Sequence, residues 1–243
     1  MKSHVNTLLC AVVCACAASA TADVIYETPD PFGGPFGLVG FDVFAQQSVA
    51  VRFTSTGDYY FTRASMWIMS NDFGGVSNAQ VRVTLRTDDN NGTVSIPSDV
   101  ILDEMFFNVS AIGWDPVLES VDSVSHPALV ANANYWLVLE CDATNSNPVW
   151  NWAGIGSGFT SNTSGNQTVW QPGGTGAVAA TIIEGVQICY PDCDGSGSLS
   201  IFDYICFGNA YASQNPYADC DGSGSFNIFD YICFGNQYGS GCP

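Results

Sequence analysis

Two stretches of twelve residues hold the clearest chemistry in this chain: "DCDGSGSLSIFD", starting at Asp192, and "DCDGSGSFNIFD", starting at Asp219. In the first, oxygen-bearing residues occupy places 1, 3, 5, 7, 9 and 12, namely Asp192, Asp194, Ser196, Ser198, Ser200 and Asp203, with Gly197 sixth. In the second the same places hold Asp219, Asp221, Ser223, Ser225, Asn227 and Asp230, with Gly224 sixth. A hard divalent cation such as Ca²⁺ is held by about six to eight oxygens from carboxylates, hydroxyls and backbone carbonyls, and a loop of this length with a glycine at its sharp turn supplies them. A single such stretch reads equally well as an acidic turn facing water. Two near-copies favour a pair of Ca²⁺ sites.

The elements that must position these groups are repeated as well. Asp192–Tyr211 and Asp219–Tyr238 lie 27 residues apart and agree at 17 of 20 positions; only Leu199/Phe226, Ser200/Asn227 and Ala210/Gln237 differ. After each loop, "IFDYICFGN" predicts an apolar helix of roughly three turns, ended near its Gly-Asn pair. No entering helix is expected, because "QICYP" is short and ends in Pro191. A unit this short, used twice, covers its apolar face with that of its copy.

The ligand places match calcium loops of the EF-hand type, in which place 7 binds through its backbone carbonyl and place 9 often through water. A loop and exiting helix, used twice with no entering helix, is similar to the dockerin module over residues 190–239. The resemblance implies two Ca²⁺ ions, a short β contact between the loops through Leu199 and Phe226, and a cohesin-like or other cell-surface protein as partner. It also assigns contact with that partner to Ile201, Phe202, Ile228 and Phe229, at places 10 and 11. Packing of Phe202 and Phe229 between the two helices is the competing expectation. Serine at place 5 departs from the usual Asp or Asn. It leaves three carboxylates per loop, so a weaker site is predicted, with Kd roughly 10⁻⁶ to 10⁻³ M. Cysteines at place 2 and in each helix resemble a Cys-bearing variant at the C-termini of secreted bacterial proteins.

Ten cysteines occur, three of them (Cys10, Cys14, Cys16) in "MKSHVNTLLCAVVCACAASATA". This leader carries Lys2, an apolar run and Ala20-Thr21-Ala22, so residues 1–22 read as a secretory signal cleaved near Asp23. Its apolar run is too short to span a bilayer. Six of the remaining seven cysteines fall between Cys189 and Cys242, a density expected of a disulfide-stapled secreted segment. Symmetry of the repeats allows Cys193–Cys206 with Cys220–Cys233, or the crossed set Cys193–Cys233 with Cys206–Cys220. Cys189 and Cys242 could close the module; Cys141 is then a buried thiol, or else the partner of Cys189. Zinc is disfavoured by the spacing and the oxidising compartment. Without the leader, four arginines and no lysine face 23 acidic residues, 4 − 23 = −19. Such a surface repels nucleic acid and anionic membranes, so neither is expected as a partner, and the protein is expected outside the cell.

Residues 23–186 read as short strands between turns. "SVAVRF", "YYFTRASMWIMS", "AQVRVTLRTD", "ILDEMFFNVS", "NYWLVLEC", "VWNWAG", "QTVW" and "AVAATIIEGVQI" alternate apolar and polar residues, and turn-rich segments such as "TDDNNG" separate them. The expected fold is therefore mainly β: an N-terminal jelly-roll-like β-sandwich, followed over residues 187–243 by the small α module with its two calcium loop-helix repeats. "VRVTLRTDDNNG", "ALVANANYWLVLECD" and "VWNWAG" resemble the choice-of-anchor sandwich domains of exported bacterial proteins, and that resemblance implies architecture rather than activity.

A catalytic centre is hard to assemble. His4 leaves with the leader, His126 stands alone before a proline, and no G-x-S-x-G or H-E-x-x-H sequence occurs. Glycoside hydrolysis would need only two carboxylates, for which Asp103 with Glu104 and Glu119 with Glu140 are candidates. No catalytic residue is assigned. Trp150 and Trp152 share parity on one strand and form a candidate sugar-stacking platform, with core packing as the competing expectation. The predicted protein is thus a non-catalytic one in which the Ca²⁺ module mediates attachment and displays the sandwich. A carbohydrate-binding or polysaccharide-degrading unit on the same tether is the alternative.

Overall fold

A computed structural model describes residues 22–31, 39–71, 79–90, 95–111, 113–143, 148–154, 159–163, 169–171, 177–196 and 198–242. The predicted leader up to Thr21, and Gly197, lie outside the described residues. The chain divides into two compact units, Thr21–Ile188 and Cys189–Pro243. The division falls just past the boundary expected at residue 186. Strand structure continues to Gln187, and the Ile188 N–H still donates to the Asp58 carbonyl at 2.8 Å.

The first unit is built of strands. In chain order they are β1 (Asp23–Glu27), β2 (Gly40–Asp42), β3 (Val49–Thr54), β4 (Tyr59–Ser70), β5 (Gln80–Asn90), β6 (Ser95–Asn108) and β7 (Val117–Asp122). β8 (Ala128–Leu129), β9 (Asn134–Cys141), β10 (Pro148–Gly154), β11 (Phe159–Asn162), β12 (Val178–Ala179) and β13 (Thr181–Gln187) complete the set. They pair antiparallel in two sheets. The larger runs β1-β13-β4-β10-β12, with β2 on β10 and β7 and β8 on β4; the smaller runs β11-β3-β9-β5-β6.

Alternation explains why these segments are strands. In β9, Tyr135, Leu137, Leu139 and Cys141 point one way, into the main buried cluster, while Trp136 and Val138 point the other. Val49, Val51, Val81, Val83 and Leu85 of the smaller sheet share that main cluster with Met66, Ile68, Trp150 and Ile183 of the larger. One apolar core therefore serves both sheets, each fully buried large aliphatic side chain contributing about 1.5–3 kcal/mol. The far face of the smaller sheet is partly closed too. Trp136 is buried there and donates through Nε1 to Asp88 Oδ1 at 2.6 Å.

β6 begins well before the alternation that marked its start at Ile101. The expected strand "QTVW" lies partly outside the described residues; of its described part, Trp170 makes an isolated bridge to Thr163. β1, β7 and β11 arise where the sequence carries little apolar alternation. Their pairing to long neighbours supplies what local pattern does not.

The second unit holds α1 (Ile201–Ala212), a 3₁₀ turn (Pro216–Ala218) and α2 (Ile228–Ser240). Both helices run on past the Gly-Asn pairs expected to end them. Gly208 and Gly235 instead face aromatic rings: a Cβ on Gly208 would stand 3.6 Å from the Tyr231 hydroxyl, and one on Gly235 3.5 Å from that of Tyr204. Between the helices Phe207 and Phe234 stack with centroids 4.2 Å apart, each fully buried. Tyr204 meets Phe234 edge-on and Tyr231 meets Phe207 in the same way, both at 5.1 Å, so the packing repeats as the sequence does. Three disulfides fasten the unit: Cys193–Cys206, Cys220–Cys233 and Cys189–Cys242. The uncrossed pairing is the one adopted. Cys141 stays outside the disulfides, buried at the end of β9, where its sulfur accepts from the Ala143 N–H at 3.4 Å. Three disulfides are compatible with an extracellular protein. Among the described residues no helix is long and apolar enough to cross a membrane.

Candidate metal centre

Each acidic loop ends by starting a helix, and the same residues serve both tasks. Ser200 and Asn227 are the N-caps of α1 and α2, accepting from the N–H groups of Phe202 at 3.1 Å and Phe229 at 2.8 Å. Asp203 and Asp230, three residues further on, close capping boxes: Oδ2 of each accepts from the cap's own N–H, at 2.6 Å from Ser200 and 2.8 Å from Asn227. Their other oxygens turn back into the loops, accepting from Asp194 N–H at 3.3 Å and Asp221 N–H at 3.5 Å. The carboxylate at place 12 is therefore fully buried and fixed by the helix start in both copies.

The remaining places fold around it. Asp192, Asp194 and Asp203 bring ligand oxygens within 4.8 Å of one another, and Asp219, Asp221 and Asp230 do the same. Ser196 N–H donates to both Asp192 and Asp194 at 3.0 Å, and Ser223 N–H donates to Asp221 at 3.0 Å. The hydroxyls of Ser196 and Ser223 donate to the carbonyls of Ser198 and Ser225, at 3.1 and 3.3 Å. In the second loop Gly224, with φ of 75°, turns the chain in the left-handed region that a side chain would disfavour. Its N–H donates to Asp219 Oδ2 at 2.9 Å. Gly197 lies outside the described residues.

Charge makes these loops unusual. All six acidic residues of the unit from Cys189 onward belong to the two triads, and that unit has no lysine, arginine or histidine. Three carboxylates this close repel one another, and like charges are tolerated in such proximity when a cation or a proton offsets them. Hydrogen bonds from the Ser196 side chain and N–H hold the Asp194 carboxyl below the ordinary carboxylate range, and Ser223 does the same for Asp221. Asp219 Oδ1 is buried and has no hydrogen-bond donor. The residues present fit a hard oxygen-seeking cation.

Sequence reasoning missed Tyr190 and Tyr217. Each Tyr stands two residues before a loop, the two hydroxyls bond reciprocally to the other's carbonyl at 2.6 Å, and the rings stack at 4.8 Å. Extending the 27-residue alignment two places towards the N-terminus finds them, because Tyr190 and Tyr217 are equivalent positions. Burial first, and then the carboxylates of Asp230 and Asp219, push the Tyr190 phenol up to about 12. Burial, Tyr190, Asp203 and Asp192 raise that of Tyr217.

Several expectations need correction. Phe202 and Phe229 do not pack between the helices: they are 64% and 63% exposed, and Phe207 and Phe234 fill that place. The helices are apolar on more than one face, and the inward one is set by the opposing Tyr231 and Tyr204 rings. Ile201 and Ile228 are exposed beside them. Among the described residues no β-bridge links Leu199 with Phe226. Phe226 leans edge-on against Tyr211 of α1 instead, with centroids 6.0 Å apart. Trp150 is fully buried, with Nε1 donating to the Ala180 carbonyl at 2.9 Å, so it offers no sugar a face. Trp152 is half-buried against Phe41 at 5.4 Å.

The carboxylates weighed for hydrolysis are all engaged. Asp103 accepts from Ser123 Oγ at 2.5 Å and from the N–H groups of Val124 and Ser125, while Glu119 accepts from both Ser110 groups. Glu140 is bound by Arg82 at 2.6 Å and Arg86 at 3.0 Å, and Glu104 by Arg82. His126 enters the Ser123 turn through its N–H, which donates to Ser123 Oγ at 2.9 Å. No protein-family model matches the chain, and no curated protein matches it.

Proposed function

We propose that the protein is an exported, non-catalytic attachment protein. Its unit from Cys189 onward is a dockerin-like module that folds around two Ca²⁺ ions and docks on a surface or scaffold partner. The unit before it is a jelly-roll-like β-sandwich that the module displays. The observation that carries this reading is the confinement of every acid in the second unit to two equivalent triads with no basic residue to balance them.

Asp192, Asp194, Ser196, Ser200 and Asp203, with the Ser198 carbonyl, would hold one ion. Asp219, Asp221, Ser223, Asn227 and Asp230, with the Ser225 carbonyl, would hold the other. A bound Ca²⁺ offsets two of the three negative charges of its triad, and in the second loop it offers a partner to Asp219 Oδ1. The capping boxes carry that order from loop to helix, because Asp203 and Asp230 belong to both. The exposed pairs Ile201–Phe202 and Ile228–Phe229 begin those helices and are the surface offered to a partner.

The test is calorimetric titration of the disulfide-bonded chain with Ca²⁺, repeated on Asp203→Ala with Asp230→Ala. Two ions bound by the parent and none by the variant supports the reading. A parent that binds nothing at millimolar Ca²⁺ defeats it.

A further inference from the structure

The two loops lack a described β contact, yet both begin from one shared structure. The chain enters the first loop through Tyr190 and the second through Tyr217, each two residues before the leading aspartate. Every tie between these residues is mutual. The Tyr190 hydroxyl donates to the Tyr217 carbonyl and the Tyr217 hydroxyl to the Tyr190 carbonyl, both at 2.6 Å, with the rings stacked at an interplanar angle of 28°. The rings also cross over: the Tyr190 phenol lies in the field of Asp219 and Asp230, and the Tyr217 phenol in that of Asp192 and Asp203. The side chain that leads into one loop is thus fastened to the main chain that leads into the other.

A reciprocal pair of this kind is made or lost as a unit. When the lead into one loop frays, its carbonyl moves, and the opposite phenol loses its acceptor beside two carboxylates. Each empty triad favours fraying, because its three carboxylates lie within 4.8 Å of one another. A cation removes that repulsion in its own loop, and the tyrosines pass the resulting order across. The second ion then enters a loop whose lead is already fixed, and meets a smaller ordering cost.

We propose that the Tyr190–Tyr217 pair couples the two cation loops, so that Ca²⁺ in either one raises the affinity of the other. The inference rests on the calcium reading and concerns its regulation: the module answers Ca²⁺ as one two-site switch, over a narrower concentration range than independent loops would. Both tyrosines are positioning residues, since neither supplies a ligand oxygen.

The experiment is a coupling cycle on the full disulfide-bonded chain, read by Ca²⁺ calorimetry. Asp194→Ala silences the first loop and Asp221→Ala the second; both residues are exposed. In the parent background, silencing one loop is expected to weaken the other by about 5- to 150-fold, by the same factor in both directions. In the Tyr190→Phe/Tyr217→Phe background the rings remain and the hydroxyls go. There the surviving loop should keep one affinity whether its neighbour is intact or silenced, close to that of the silenced parent. A pair with only a structural role would instead lower both affinities and leave the coupling standing. Should the double variant fail to fold, Tyr217→Phe alone keeps one of the two hydrogen bonds and should show reduced coupling. Undiminished coupling in the phenylalanine variants, or two independent sites in the parent, overturns the proposal. A parent that binds no Ca²⁺ defeats the calcium reading itself, a different result from two uncoupled ions.

Discussion

Tyr26 illustrates how much one polar atom decides. Its hydroxyl is buried without a hydrogen-bond partner, beside Phe53 at 6.0 Å, and burial pushes the phenol up to about 12. An unsatisfied buried hydroxyl costs about 1–3 kcal/mol, so Tyr26→Phe should stabilise the chain by roughly 1 kcal/mol in denaturant unfolding at neutral pH. The pH dependence has a definite sign. The folded state holds this proton more tightly than the unfolded chain, whose tyrosines titrate near pH ~10. The stability so gained is complete below that value and is lost as pH rises through the folded value of about 12. Unfolding curves from about pH 9 to 12 should therefore fall less steeply for Tyr26→Phe than for the parent. Single side chains are also where sequence is hardest to read. Parity places Trp150 and Trp152 on one face of β10 but cannot say that the face turns inward. Nor can "IFDYICF" show whether its first or second phenylalanine meets the opposite helix, since both have apolar neighbours.

At the scale of elements, the repeat was legible because two independent constraints coincide in it. Oxygen placement and the capping box need the same Asp at place 12, so the loop chemistry and the helix start announce each other in twelve residues. The disulfide arrangement shares this economy. Cys193 sits between Asp192 and Asp194, and Cys206 lies one turn beyond Asp203, so their bond ties the two limbs that carry the first triad. Cys220–Cys233 does the same for the second triad. Cys193→Ser with Cys206→Ser frees those limbs to separate under their own repulsion. Calorimetry should show the first site weakened by about tenfold or more, and the second weakened less. Cys189→Ser with Cys242→Ser touches neither triad and should leave both affinities near those of the parent. The sheets were less legible. β4, β5 and β9 announce themselves by alternation over long runs, whereas β1 and β7 are short and half-exposed. Such strands exist because a neighbour's free edge receives them, a fact written in another part of the chain.

At the scale of the molecule the second unit stands out, because there charge and apolarity are kept apart. The acids of the second unit are drawn into its loops, leaving the starts of both helices with uncharged apolar side chains, Ile201, Phe202 and Ile205 on one and Ile228, Phe229 and Ile232 on the other. Exposed apolar patches of this kind mark interaction sites more often than idle surface. Phe202→Asp with Phe229→Asp should abolish attachment to isolated cell envelopes while two Ca²⁺ ions still bind in calorimetry; retained attachment would assign the contact to the other unit. The mainly β character and the two-part organisation follow from composition and pattern. The pairing order β11-β3-β9-β5-β6 does not, because antiparallel neighbours far apart in sequence are selected by the joint core rather than by any local signal.

The Cys189–Cys242 bond joins the first residue of the second unit to its far end, across 53 positions. A pull arriving along the chain through Ile188 meets Cys189 and is shared at once with the segment beyond α2. Tension then cannot peel the unit away residue by residue from one end. It must shear both ends together, against the stacked phenylalanines and the two shorter disulfides, so the unit resists extension applied at Cys189.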